Sequence, residues 1–185
     1  MGSFYTNHTV RGASQQELLD WLRPRPALVS KTFGTTSVLL DAACESQDSR
    51  LLATLATQVS SHFTCPVLAL LNHDDDMLYF ELYEDGKKTD QYNSNPNCFD
   101  EDDDVVPGPP VGGDAVRLCT VFDAGDPVKV EAILRSTEYV FARERHAALA
   151  EALGLPLCSV GFGYNYASAD DANDIAEADF RHTGV

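Results

Sequence analysis

The chain has 185 residues, enough for one domain with a substantial core, and its 44% hydrophobic and 9% aromatic content excludes a wholly disordered chain. Thirteen Lys and Arg face 29 Asp and Glu, a formal net charge of −16. Nucleic-acid phosphates and anionic membrane surfaces repel such a body, so the expected partners are positive, whether basic proteins, metal cations or cationic ligands; plain solubility is the other use of that charge.

Phe4 to Val10, rich in Thr, Tyr and Val, reads as an opening strand. Ser14-Gln15-Gln16-Glu17 is a capping box, Leu18, Leu19 and Leu22 form the apolar side of the helix it starts, and Pro24 and Pro26 stop that helix. Ala27 to Lys31 and Thr36 to Leu40 flank Phe33-Gly34-Thr35 as a hairpin. Asp48 caps a helix whose stripe is Leu51, Leu52, Leu55, Ala56 and Val59. Val67 to Leu71 is a buried strand. Leu78, Phe80 and Leu82 alternate with Tyr79, Glu81 and Tyr83 in the next, and Lys87 to Tyr92 returns after the Glu84-Asp85-Gly86 turn.

Residues 93–113 form an acidic loop rich in Pro and Gly, with an unbroken acidic run from Asp100 to Asp104. Asp114 and the pair Asp126-Pro127 start two helices. A third is predicted from about Glu138 to Leu153, with Phe141 and Leu149 on its apolar side and Arg143, Glu144, Arg145 and His146 on its wet side. Gly154 and Pro156 end it. Leu157 to Tyr166 reads as a last strand, and residues 167–185 as an acidic tail that frays.

The order β-α-β-β-α-β-β-β, then helices and a strand, predicts a single α+β domain, a mainly antiparallel sheet with helices packed on one face. Its parts are β-rich αββ units over residues 1–92, the loop 93–113, a helical segment with the final strand over 114–166, and the tail. The N-terminus has neither the basic stretch nor the apolar run of a signal peptide, and the longest apolar run, Pro66 to Leu71, is too short to cross a bilayer. Five cysteines (Cys44, Cys65, Cys98, Cys119 and Cys158) cannot all pair, and none forms a C-x-x-C, so a reducing cytoplasm is expected. Cys98, in the polar loop, is the expected exposed thiol.

Chemistry is loudest at Asn72-His73-Asp74-Asp75-Asp76. Asn and Asp suit a tight reversal between strands. The same residues offer His73, Asp74 and Asp76 as ligands for a divalent metal, the basis of a small metal-dependent hydrolase. Adjacent turn residues point apart, so the hairpin is the preferred reading, and no cofactor is predicted with it. Gly161-Phe162-Gly163 lacks the third glycine and the following helix of a dinucleotide fingerprint, so close backbone packing is expected there. No G-x-S-x-G elbow or phosphate-binding P-loop is present; a Cys98–His73 pair remains open to spatial placement.

Tyr79, Tyr83 and Tyr92 could share one open strand face with Glu81 and Glu84, an acidic aromatic surface, unless a helix of the same chain covers it. Together with Asp102 and Asp103 these are the candidate contacts for a basic protein. A small, acidic α+β chain of this kind is similar in general character to bacterial immunity and antitoxin proteins. That likeness implies an interaction protein and carries over no site residue. The expected function is therefore binding of a basic partner without nucleic-acid or membrane contact, with a metal-dependent hydrolase as the alternative.

Overall fold

A computed structural model describes residues 2–100, 108–169 and 173–183. Among these residues, eight strands form one sheet: β1 (Tyr5–Arg11), β2 (Ala27–Val29), β3 (Thr36–Asp41), β4 (Val67–His73), β5 (Met77–Glu84), β6 (Lys87–Asn93), β7 (Val111–Gly112) and β8 (Arg181–His182). Their order is β7-β6-β5-β4-β1-β3-β2-β8, with every neighbouring pair antiparallel. The helices are α1 (Gln15–Leu22), α2 (Ser49–Phe63), α3 (Ala115–Phe122), α4 (Pro127–Arg135), α5 (Ala142–Leu153) and the single turn α6 (Tyr164–Ala167). The α+β class and the order of its first eight elements are as the sequence predicts. No helix among the described residues is long and apolar enough to cross a membrane.

Local signals fix most helix starts. Ser14 and Glu17 form both bonds of the capping box on α1. Asp48, Asp114 and Asp126 each accept a backbone N–H in the first turn of α2, α3 and α4.

The helices cover both faces of the sheet, not the one face predicted. Leu68 and Leu70 of β4 join a core with Leu118, Leu134 and Leu149 of α3, α4 and α5. Val67, Ala69 and Leu71 join another with Leu18 of α1 and Leu55 and Val59 of α2. The physical reason lies in β4 itself. An uninterrupted apolar run has no wet side, so each face needs a cover.

Three further expectations are corrected. Residues 157–166 do not form a strand. A 3-10 turn at Leu157–Ser159 and α6 stand there instead. The last strand is β8, within the stretch expected to fray, and it closes the outer edge of β2. Thr183 holds it, accepting from the Arg23 guanidinium through its carbonyl at 2.9 Å and donating its hydroxyl to Arg25 O at 2.6 Å. In α5, Arg145 and His146 are buried rather than wet. The Arg145 guanidinium donates to Ile133 O, Leu134 O and Ser136 O, the carbonyls that α4 leaves open at its C-terminal end.

The central strand is the most polar part of the core. Thr6, Asn7, His8 and Thr9 of β1 are all buried. His8 meets Leu52 O of α2 at 3.0 Å on one face. Asn7 donates to Ser159 O at 2.6 Å on the other, while Tyr5 donates its hydroxyl to His146 Nδ1 at 2.8 Å. Burial pushes His8 down to about 4 and His146 down to about 3.

Those two histidines make stability depend on pH. The unfolded chain binds a proton on each near pH 6.5, whereas the folded chain leaves both neutral until about pH 4 and about pH 3. Protons therefore favour the unfolded chain throughout that window. Urea unfolding is expected to show stability falling from about pH 6.5 to pH 5, above the main carboxylate range, with a slope approaching two protons. A flat profile there would contradict the burial of this pair.

Candidate functional site

The residues Asn72 to Asp76 form a hairpin turn joining β4 to β5. Asp74 and Asp75 take positive φ angles of 50° and 60°, which Asp tolerates better than most residues. The inward groups of this turn are spent on the fold. Asp75 accepts from Ser3 N at 3.1 Å and from Asn72 Nδ2 at 3.1 Å through its carboxylate. Its own backbone donates to Ser3 O and accepts from Ala142 N. The chain before β1, the turn and the first residue of α5 are thereby fastened together. This bond also explains why α5 begins at Ala142 and not near Glu138.

The would-be metal ligands diverge. His73 donates Nδ1–H to Gln47 Oε1 at 2.6 Å, and Asp74 accepts from Gly2 N at 3.0 Å. Asp76 faces outward; the described residues offer its carboxylate no hydrogen bond or ion pair. Among the described residues, no group of three or more His, Cys, Asp or Glu side chains is placed to hold a metal ion. Cys98 is half-buried, the least buried of the five thiols, and His73 bonds to Gln47 instead.

Around the turn lies a rim of exposed apolar side chains. The His73 ring sits edge-on to Phe4, at 5.1 Å, and to Phe99, at 4.9 Å. Phe4 is 52% exposed and Phe99 66%. Across the turn, Val140 and Phe141 are 76% and 52% exposed, although Phe141 was expected on the buried side of its helix. It is the N-cap residue, in extended conformation before the helix begins. Two cavities open against the turn, and a third lies farther off. One of about 510 Å³ lies between Asp76, Asn95, Tyr139 and Val140. Another of about 380 Å³ lies between His73, Tyr79 and Phe99. The third, about 700 Å³, lies beyond Phe4.

The predicted strand-face contacts are placed differently. Tyr79, Glu81 and Tyr83 do share one face, but Tyr92 lies on the other, stacked on Phe80 at 5.0 Å with its hydroxyl on Leu134 O. Helix α2 covers the Tyr79–Glu81–Tyr83 face, where both tyrosines pack with the α2 core. Glu81 is 6% exposed. Its two oxygens accept from Tyr79 OH, Tyr83 OH and Lys88 Nζ at 2.6–2.8 Å. Burial works against that charge and the three donors outweigh it, holding the carboxyl below its ordinary range. Glu84 pairs with Arg117 at 2.7 Å. Asp102 and Asp103 lie outside the described residues.

Phe4, Phe99 and Phe141 were not singled out as functional from sequence. The available signal was weak, since of the three only Phe99 is a lone aromatic in a polar, acidic stretch. Comparison with known proteins finds no matching family model and no significant match among curated proteins or solved structures.

Because Glu81 gathers three donors under α2, Glu81→Ala is expected to cost about 2–4 kcal/mol of unfolding free energy. Chemical denaturation measures it. A loss under about 0.5 kcal/mol, the usual surface value, would show the cluster to be a solvated face.

Proposed function

We propose that the protein is an interaction module that docks a basic protein partner on the end of the sheet marked by the β4–β5 turn. The observation that carries this reading is the pairing of exposed apolar side chains (Phe4, Phe99, Val140 and Phe141) with the outward carboxylate of Asp76 around one fastened turn. Apolar anchors supply binding energy when water is excluded, and carboxylates beside them select for Lys and Arg and speed encounter.

The distribution of positive charge supports the same reading. The cations Arg25, Lys88, Arg117, Arg135 and Arg145 are engaged with carboxylates or backbone carbonyls of their own chain. Much of the chain's small positive complement is thus committed internally, and a net charge of −16 dominates what an approaching molecule meets. The five free thiols suit a reducing cytoplasm. The general likeness to immunity and antitoxin proteins points to the same mode of action, capture of a basic partner.

Titration of the isotope-labelled chain with a peptide alternating Lys and Leu tests the reading, with the Glu–Leu peptide as control. Shifts are expected to gather at Phe4, His73–Asp76, Phe99 and Phe141, and added salt should weaken binding. Asp76→Lys, which breaks no internal bond, should raise Kd at least about tenfold, equivalent to 1.4 kcal/mol. Equal binding of the two peptides, or binding indifferent to salt, would remove the basic-partner reading.

A further inference from the structure

The cavity beyond Phe4 is built differently from the docking rim. It holds about 700 Å³ and is lined by both signs of charge, Glu45 and Arg143, with Phe4, Phe162 and Tyr166 as aromatic wall. Glu45 stands on the 3-10 turn Ala43–Ser46 after β3, and Arg143 in the first turn of α5. The two arrive from segments almost a hundred residues apart and face one space.

The Gly161-Phe162-Gly163 stretch makes that arrangement possible. A Cβ at Gly163 would collide with Glu45 Oε1. A Cβ at Gly161 would stand 3.3 Å from Arg143 Cδ, and the residue has φ +84°, where side chains are disfavoured. One glycine thus leaves room for the carboxylate and the other for the guanidinium stem, with Phe162 between them on the wall. Two residues span at most about 7 Å of extended chain, so the carboxylate and the guanidinium stem lie against neighbouring points of one wall.

Neither charge is satisfied by the other. Glu45 accepts from Tyr164 N at 2.7 Å and from Asn165 N, which fix its direction without neutralising it. Burial raises its pKa, a sign that the half-buried carboxylate has no cation beside it. The Arg143 guanidinium makes no hydrogen bond or ion pair among the described residues. Opposite charges held apart across an aromatic-walled cavity are complementary to a molecule carrying both, an ammonium and a carboxylate on a short frame.

We infer that this cavity binds a zwitterionic α-amino acid with an apolar side chain. Its ammonium meets Glu45, its carboxylate meets Arg143, and its side chain lies against Phe4, Phe162 and Tyr166. The inference does not rest on the docking reading: the two sites share Phe4, but the ligand and its charged contacts, Glu45 and Arg143, are different.

Calorimetric titration of the full chain with L-phenylalanine and L-leucine tests it. The comparison ligands are N-acetyl-L-phenylalanine, which lacks the ammonium, and L-phenylalaninamide, which lacks the carboxylate. Saturable binding of the free amino acids is expected, weakened at least tenfold by either blocked end. Glu45→Gln keeps an acceptor for Tyr164 N and Asn165 N, and Arg143→Gln alters an exposed side chain. Each is expected to lose at least tenfold in affinity while the unfolding midpoint holds. No binding of either amino acid would overturn the inference. So would binding indifferent to both substitutions or to both blocked ends. If Glu45→Gln loosens the fold, Arg143→Gln with the amide series decides the question alone.

Discussion

Asp75 is the constraint on which the arrangement of this protein turns. One residue at the tip of the β4–β5 hairpin bonds to the chain before β1, to Asn72 of β4 and to the first residue of α5. Each of those segments runs into a different part of the fold. The first leads into the central strand, the second into its neighbour and the third into the helix that covers one face. Because the central strand is buried on both sides, its placement sets the register of β3 and β4 on either hand. Two of the polar side chains of this strand find partners on opposite faces, His8 on Leu52 O and Asn7 on Ser159 O, and Tyr5 meets His146 beside Asn7, while Thr6 Oγ1, Asn7 Oδ1 and His8 Nδ1 are buried without a hydrogen bond among the described residues.

The same turn divides its acidic residues by direction. Asp75 points inward and is consumed by the fold, whereas Asp76 points outward and is left to solvent. A string of aspartates that resembles a ligand set is therefore a structural corner with a charged outer edge. Exposed phenylalanines stand around that edge because the elements meeting there all end at once. Their side chains find no further layer to pack against.

What could be read from sequence was what depends on near neighbours. The capping residues Ser14, Asp48, Asp114 and Asp126 act within three residues, and the Asn72–Asp76 reversal is set by turn chemistry. What was missed depends on distant partners. His146 looked wet until Tyr5, far away in the chain, supplied its hydroxyl. Arg145 looked wet until α4 presented its open carbonyls. Tyr92 was assigned to the face of Tyr79 and Tyr83, but the register of β6 sets it beside Phe80, next to a bulge at Leu82 and Tyr83. The segment 173–183 has the composition of a loose tail and is ordered by the free edge of β2. In the site, the turn was legible. The aromatic rim was not, because no local pattern says which exposed phenylalanines converge.

The direct test of the account is the unfolding free energy of Asp75→Ala measured beside that of Asp76→Ala. If the turn is a structural fastening with one outward carboxylate, Asp75→Ala loses about 2–4 kcal/mol through its lost bonds and its left-handed backbone, and Asp76→Ala stays within about 0.5 kcal/mol. Equal losses, or a larger loss at Asp76, would contradict the division of the turn into an inward and an outward side.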